Sequence, residues 1–327
     1  MNDVLFWVIG DRQHGMGHVA RSIVLADELG RRGHRCRFAT AHETPGFHRL
    51  RRSPHVTTDY HPDDLSWMKR GGDWLVVDVE GGSDRALLEA ARPRFRKVIV
   101  VAGSGWTLRD EQAVRENADL VVCQTIAVPD EDDGYLYGAE WIMIDPRFAA
   151  CAPNPGGPIV ISFGGGDPHD LTWLAAGALL DADVRAGREI IQVVGPAAYG
   201  TSLSETDAHV VLSPDSLADI LGGASLLVGQ FGMTAYEAAA AGVPSVLYGL
   251  SENHISTALR MQQENAAVVA GQWDEFNKDD LISLVASILG RDETWRAMSA
   301  AGKRLIDGQG VVRVADAIEK LSDGGAA

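Results

Sequence analysis

The feature that most constrains this chain is a recurring alternation. Short continuous runs of Val, Ile and Leu are each followed by a longer stretch whose apolar residues fall at helical spacing. Residues 4–9, 35–39, 74–79, 98–102 and 120–123 are such runs in the first half, and 159–163, 190–194, 209–212, 226–229 and 245–248 in the second. Runs this short and apolar on both faces predict strands covered from both sides. Between them, Val19, Ile23, Ala26 and Leu29 keep a helical period that Gly30 and Gly33 close, and Leu171, Leu174 and Leu179 repeat the pattern later. The alternation predicts an α/β architecture of parallel sheets with helices on both faces.

At 327 residues the chain is too long for one ordinary domain and suits two. Residues 151–158 (CAPNPGGP) hold three prolines and two glycines and read as the linker. The expectation is therefore two doubly wound, Rossmann-like domains, 1–150 and 151–327. Ligands of such sheets bind beyond the carboxyl ends of the strands, so two of them facing each other would enclose a cleft.

The turns after these strands carry the chemistry. Between the first strand and the first helix lies His14-Gly15-Met16-Gly17-His18. Gly15 and Gly17 allow a tight turn and close approach to a ligand. His18 falls at the helix N-terminus, where the dipole disfavours imidazolium, and a neutral imidazole suits a general base. His14 and His18 are four apart, but the glycines between them break the helix a metal pair would need, so no metal is expected. His14 is expected to line the cleft, and Asp78, ending a strand, to bind substrate hydroxyls or cap a turn. In the second half, Gly164-Gly165-Gly166 follow a strand and precede a helix, where free N–H groups suit a diphosphate. The spacing is neither GxGxxG nor a P-loop, which disfavours a dinucleotide-dependent dehydrogenase. Met233 and Thr234 open another helix, and Glu237 is placed in its first turn, either complementing the dipole or accepting from ribose hydroxyls. Ser251 reads as an N-cap, with Asn253 and His254 close enough to reach a sugar or phosphate. Asp130-Glu131-Asp132-Asp133 reads as a solvated loop.

Taken in order, these turns resemble the GT-B nucleotide-sugar enzymes. More narrowly they are similar to the UDP-sugar hydrolases of pseudaminic acid synthesis and the related spore-coat polysaccharide proteins. Gly15-Met16-Gly17-His18-Val19-Ala20-Arg21 matches that group's G-x-G-H-x-x-R. The run from Gly164-Gly165-Gly166-Asp167-Pro168 to Leu171-Thr172 resembles its G-G-x-D-P-x-N-L-T. Thr234-Ala235-Tyr236-Glu237, Gly242-Val243-Pro244 and Glu252-Asn253-His254 echo its nucleotide-binding half. The resemblance implies a nucleotide-sugar substrate, with Glu237 on the ribose and the diphosphate at Gly165 and at Met233 and Thr234. It adds Arg21 to the substrate-binding set. His18 would deprotonate water in a hydrolase, or an acceptor hydroxyl in a glycosyltransferase; a binding protein without catalysis is the third reading. No cofactor is implied. The departures from the group lie at Trp7, Ile9, Ala102, Gly103, Asp145 and His254, mostly on the expected sugar side.

Composition removes other classes. A formal charge of -16 disfavours nucleic acid, which needs clustered Lys and Arg. The three cysteines show no zinc spacing. The apolar start lacks a basic leader and no run approaches the length of a membrane span, so a cytoplasmic protein is expected. Arg49-Leu50-Arg51-Arg52 reads as a solvated loop and leaves a peripheral membrane contact open.

Overall fold

A computed structural model of the chain describes residues 1–60, 68–80, 85–103, 110–129, 134–167, 169–180, 182, 184, 186–196, 198, 208–214 and 216–323. The run 130–133 and Pro168 lie outside the described residues. Two compact units are present, Met1–Met143 with Gln309–Ala327, and Ile144–Gly308.

The first unit runs β1 (Asp3–Val8), α1 (Gly17–Arg31), β2 (Arg35–Ala41), α2 (Pro45–Arg51), β3 (Val56–Tyr60), β4 (Gly72–Asp78), α3 (Arg85–Ala91), β5 (Phe95–Ala102), α4 (Glu111–Asn117) and β6 (Leu120–Cys123). Its strands form one sheet in the order β3-β2-β1-β4-β5-β6, and every pair is parallel. Successive side chains of β1 point to opposite faces. Phe6 packs with Phe38, Leu25 and Leu29 on one face, while Leu5 packs with Leu75, Leu88 and Val114 on the other. The order reverses direction between β1 and β4, where Val8 lies beside Asp78. This is the position at which doubly wound sheets receive their ligands.

The second unit runs β7 (Ile159–Ser162), α5 (Leu171–Leu180), β8 (Ile190–Val194), β9 (His209–Leu212), α6 (Ala218–Leu221), β10 (Leu226–Gln230), α7 (Met233–Ala241), β11 (Ser245–Gly249), α8 (Glu252–Gln263), β12 (Ala267–Gln272), α9 (Lys278–Leu289) and α10 (Asp292–Leu305). Its sheet is again all parallel, in the order β12-β11-β10-β7-β8-β9. With β7 read as its first strand, the order is the same as in the first unit. The equivalent reversal falls between β7 and β10, where Ser162 lies beside Gly229. Ile161, Val228, Val246 and Val285 are buried in the core of this unit, and Leu284 packs partly against it.

Two sequence expectations meet a different arrangement. The division between the units falls at 143/144, not at 150/151, and α11 (Gly310–Asp323) belongs with the first unit. The cause is its apolar face: Val311, Val314, Ala315 and Ile318 share a core with Leu25 and Leu29. Arg32 then fastens it by donating to Asp316 at 2.6 Å and Glu319 at 2.7 Å. Arg49, Leu50 and Arg51 lie in α2 instead of a loop, and Leu50 is fully buried. That run therefore offers no apolar surface to a membrane. Among the described residues, no helix is long and apolar enough to cross one.

Candidate functional site

In the first unit, the loop between β1 and α1 is wound around Asp11. Its carbonyl accepts from Gly15 N–H at 2.9 Å, and its Oδ1 accepts from the N–H groups of Gln13 and His14, both at 2.9 Å. Gly15 has φ of +70°, in the left-handed region that favours glycine. The loop delivers the chain to Gly17, where α1 begins, and His18 becomes the second residue of the helix.

His18, Arg21 and Ser22 then converge on the carboxylate that ends β4. His18 Nδ1 lies 2.7 Å from Asp78 Oδ1, and Arg21 Nη2 lies 2.5 Å from the same oxygen. Arg21 Nε and Ser22 Oγ each donate to Asp78 Oδ2 at 2.8 Å. Asp78 is fully buried, Arg21 is 4% exposed and His18 9%. Arg21, expected to bind substrate, and Asp78, expected to bind substrate hydroxyls or cap a turn, are thus buried and engaged with each other. Burial pushes the Asp78 carboxyl up, but Arg21 and His18 outweigh it and hold it below the usual carboxylate range. Burial, then the Arg21 guanidinium, lowers the His18 pKa against the opposing pull of Asp78. The lowered pKa favours the neutral imidazole, with desolvation and Arg21, not the helix terminus, as its main causes. His14 Nδ1 faces Asp11 at 2.8 Å and its Nε2 faces Glu80 at 3.1 Å. Both ring nitrogens are occupied by carboxylates.

In the second unit, the glycine turn and its helix are separate features. Gly164 has φ of +76°, and a Cβ there would lie 2.5 Å from Gln230 Nε2. Glycine thus lets the turn after β7 sit against the end of β10. Gly165 and Gly166 continue the turn, but α5 starts only at Leu171. Its first N–H groups are already capped: Asp167 Oδ1 accepts from Leu171 at 2.9 Å and Oδ2 from Thr172 at 3.0 Å. This N-terminus is satisfied by a protein carboxylate, so a diphosphate at this turn would meet the N–H groups of Gly164, Gly165 and Gly166 and not those that open α5.

The start of α7 differs. Its N-cap is Gly232, and no side chain caps Met233 or Thr234. Glu237 is the fifth residue of α7, one turn deeper than expected, so the dipole does not account for it. It is partly exposed and has no hydrogen bond or ion pair among the described residues. Burial, with a smaller push from Asp145, raises its pKa to about 7. Three polar atoms of this unit are buried without a hydrogen-bond partner among the described residues: Asp170 Oδ1, just before α5, Gln230 Oε1, ending β10, and His254 Nδ1, in the first turn of α8. Burial lowers the His254 pKa. Ser251 caps α8 as expected, accepting from His254 N–H at 3.3 Å. Asn253 sits beside His254 in that turn, its carbonyl accepting from Ser256 and Thr257.

Asp11, Ser22 and Gln230 are site residues that the sequence reasoning missed. An Asp three residues before His14, and Arg21 and Ser22 three and four residues after His18 on one helix face, are the signals that could have found the first two. Among the described residues, no group of three or more His, Cys, Asp and Glu is placed to hold a metal ion.

No family model matches the chain. It is similar to the spore coat polysaccharide biosynthesis protein SpsG of Bacillus subtilis (strain 168), with 22% identity covering 95% of this chain and 96% of that protein. A shorter stretch, 38% of this chain and 36% of the relative, is 33% identical to a UDP-N-acetylglucosamine–N-acetylmuramyl-(pentapeptide) pyrophosphoryl-undecaprenol N-acetylglucosamine transferase of Corynebacterium diphtheriae. Among solved structures, MurG of Acinetobacter baumannii superposes with a TM-score of 0.67 at 16% identity, covering 98% of this chain and 100% of that one. The spinosyn forosaminyltransferase SpnP gives 0.69 at 15%, covering 97% and 98%. The rhamnosyltransferase SpnG, solved with thymidine diphosphate, gives 0.67 at 14%, covering 98% and 100%. The fold is GT-B, two Rossmann-like units each built on a six-stranded parallel sheet.

Proposed function

We propose that this chain is a glycosyltransferase that moves a sugar from a nucleoside diphosphate to an acceptor hydroxyl, with His18 as the general base. The observation that carries the reading is the His18–Asp78 contact at 2.7 Å, at the carboxyl-end reversal of the first sheet. With its proton on Nδ1 and given to Asp78, His18 presents a lone pair on Nε2. That lone pair takes the acceptor proton as the acceptor oxygen attacks the anomeric carbon. The anomeric carbon–oxygen bond breaks with its electrons going to the leaving diphosphate. The uncapped N–H groups of Met233 and Thr234 suit that charge. Glu237 as a carboxylate accepts from ribose hydroxyls. Gly15 and Gly17 shape the loop that delivers His18, and Asn253 and His254, in the first turn of α8, are read as contacts to a sugar or phosphate group.

Transfer takes the place of the hydrolysis expected from the resemblance. The relatives whose names state a reaction name sugar transfer. A panel of nucleoside diphosphate sugars, incubated with and without a cell-extract acceptor fraction, tests the reading. Release of nucleoside diphosphate only with extract is the expected result. Release with equal free sugar in water alone would return water as the acceptor. No release from any donor under either condition overturns the enzymatic reading.

A further inference from the structure

The Asp78 carboxylate holds four donor contacts on two oxygens, about the full number such a group accepts. All four come from side chains of one helix, α1. Arg21 occupies both oxygens, and its Nη2 also lies 2.8 Å from His18 Nδ1. Two tautomers compete for these contacts: with the proton on Nε2, Nδ1 would accept from Arg21 Nη2 but set its lone pair against a carboxylate oxygen at 2.7 Å, whereas with the proton on Nδ1 the ring donates to Asp78. Arg21 already has Asp78 to donate to through Nε and Nη2, so the carboxylate contact favours the proton on Nδ1. A second proton, on Nε2, would place an imidazolium against the Arg21 guanidinium, in a pocket with almost no water to screen the two.

We propose that Arg21 is a positioning residue that neutralises Asp78, so that the buried carboxylate orients His18 without charging it. The inference rests on the reading of His18 as the base. In the usual carboxylate–histidine pair the acid stabilises the imidazolium. Here the acid is already paired, and His18 feels a carboxylate and a guanidinium of nearly equal proximity. The charged and titratable groups facing it are Arg21 from its own helix, Asp78 from β4, and His14 from the preceding loop, behind which stand Asp11 and Glu80. Without Arg21, the buried Asp78 has no counter-charge except His18, and the pair settles as carboxylate and imidazolium.

The test is the protonation state of His18, read by long-range proton–nitrogen correlation spectra of the whole chain without substrate. Wild type is expected to show a neutral ring protonated on Nδ1 at pH 7. Arg21→Met is expected to show an imidazolium there. Arg21→Lys, which keeps the charge and loses the fork, is expected to keep the ring neutral. In parallel, kcat/KM of Arg21→Met should fall at least ~10-fold at pH 6.5, with the loss shrinking as pH rises, while Arg21→Lys retains the wild-type pH dependence. A wild-type imidazolium, a wild-type proton on Nε2, or an Arg21→Met ring still neutral on Nδ1 overturns the proposal. If Arg21→Met does not fold, the wild-type spectrum and Arg21→Lys decide it. Spectra as expected, together with an active His18→Ala, would remove the base assignment and leave the charge arrangement supported.

Discussion

The two sheets share one strand order, yet the residues at their reversal points are arranged in opposite ways. Beside β1 and β4, polar groups are used on one another: Asp78 holds His18, Arg21 and Ser22, and Asp11 and Glu80 hold His14. Beside β7 and β10, and among the described residues, Gln230 Oε1 and His254 Nδ1 are buried unpaired, Glu237 is unpaired, and α7 is uncapped. Buried polar groups left without partners are costly; Thr40 Oγ1, Thr57 Oγ1 and Asp170 Oδ1 are further cases among the described residues, so the contrast rests on the groups beside the two reversal points. A network already satisfied orients a reacting group, whereas an unsatisfied one gains most when a ligand arrives. Under the proposed function, one topology would serve as a preorganised chemical site in the first unit and as a recognition surface in the second.

The comparison breaks most easily at Asp78. Asp78→Asn keeps the shape but leaves the Arg21 guanidinium buried without a counter-charge. It should cost ~3–5 kcal/mol in urea unfolding, the range for removing one partner of a buried pair. A loss below ~1 kcal/mol would mean the network is not the satisfied core described above. His18→Ala should lower turnover at least ~100-fold while leaving nucleotide affinity within about twofold, as expected of a lost general base. Unchanged turnover would remove His18 from the chemistry. Because the His18 pKa is lowered, the acidic limb of the wild-type profile should lie below the ordinary imidazole range.

The second unit gives a smaller effect of a different kind. Glu237→Gln should weaken nucleoside diphosphate binding by roughly tenfold above pH 7, the scale of one lost charge-assisted hydrogen bond. With its pKa raised to about 7, Glu237 is half protonated near neutrality, and only its ionised form offers both oxygens as charge-assisted acceptors to the ribose hydroxyls. Wild-type affinity should therefore fall as pH drops through 7, and binding near that pH should release a proton, seen as a buffer-dependent heat in calorimetry. Binding whose heat does not change between buffers would place the ribose elsewhere.

Much of this is legible in the sequence, for identifiable reasons. Core strands such as β1, β4 and β10 are continuous apolar runs, so periodicity reveals them. Of the four edge strands, β6 and β9 are apolar enough to be read and β3 and β12 escape it. VTTDY in β3 leaves Val56 69% exposed, and AVVAGQ in β12 pairs across a register shift and ends just past Gly271. Such strands lack the burial on both faces that makes a strand readable. His18 is legible because a glycine turn and a helix start bracket it. Its partner is not, because 60 residues separate Asp78 from it and only the β1–β4 pairing joins them. The cap of α5 is hidden for a related reason. In sequence Asp167 belongs to a glycine motif, while its role depends on its own backbone, at φ of +35°, turning its carboxylate onto Leu171 and Thr172.

The smallest effect sharpens the contrast most, because its sign reverses between the units. A group whose pKa is raised on folding binds its proton more tightly in the folded chain. Glu237 therefore contributes stability that is fully present below its unfolded pKa and lost as pH rises through about 7. At pH 8 the folded chain without ligand carries an ionised carboxylate that burial opposes and no partner among the described residues offsets. Glu237→Gln removes that charge, so it should raise Tm at pH 8 by ~2–4 °C, equivalent to about 1 kcal/mol for a domain of this size. The gain should vanish near pH 4.5, where wild-type Glu237 is protonated. Asp78→Asn does the reverse: its carboxyl pKa is depressed, so wild type holds the advantage at neutral pH and loses it as pH falls. Thermal unfolding of both variants at about pH 8 and about pH 4.5 reads the two signs together. Loss of stability in Glu237→Gln at the higher pH would show that the second unit, like the first, uses its carboxylate to hold itself together and not to await a ligand.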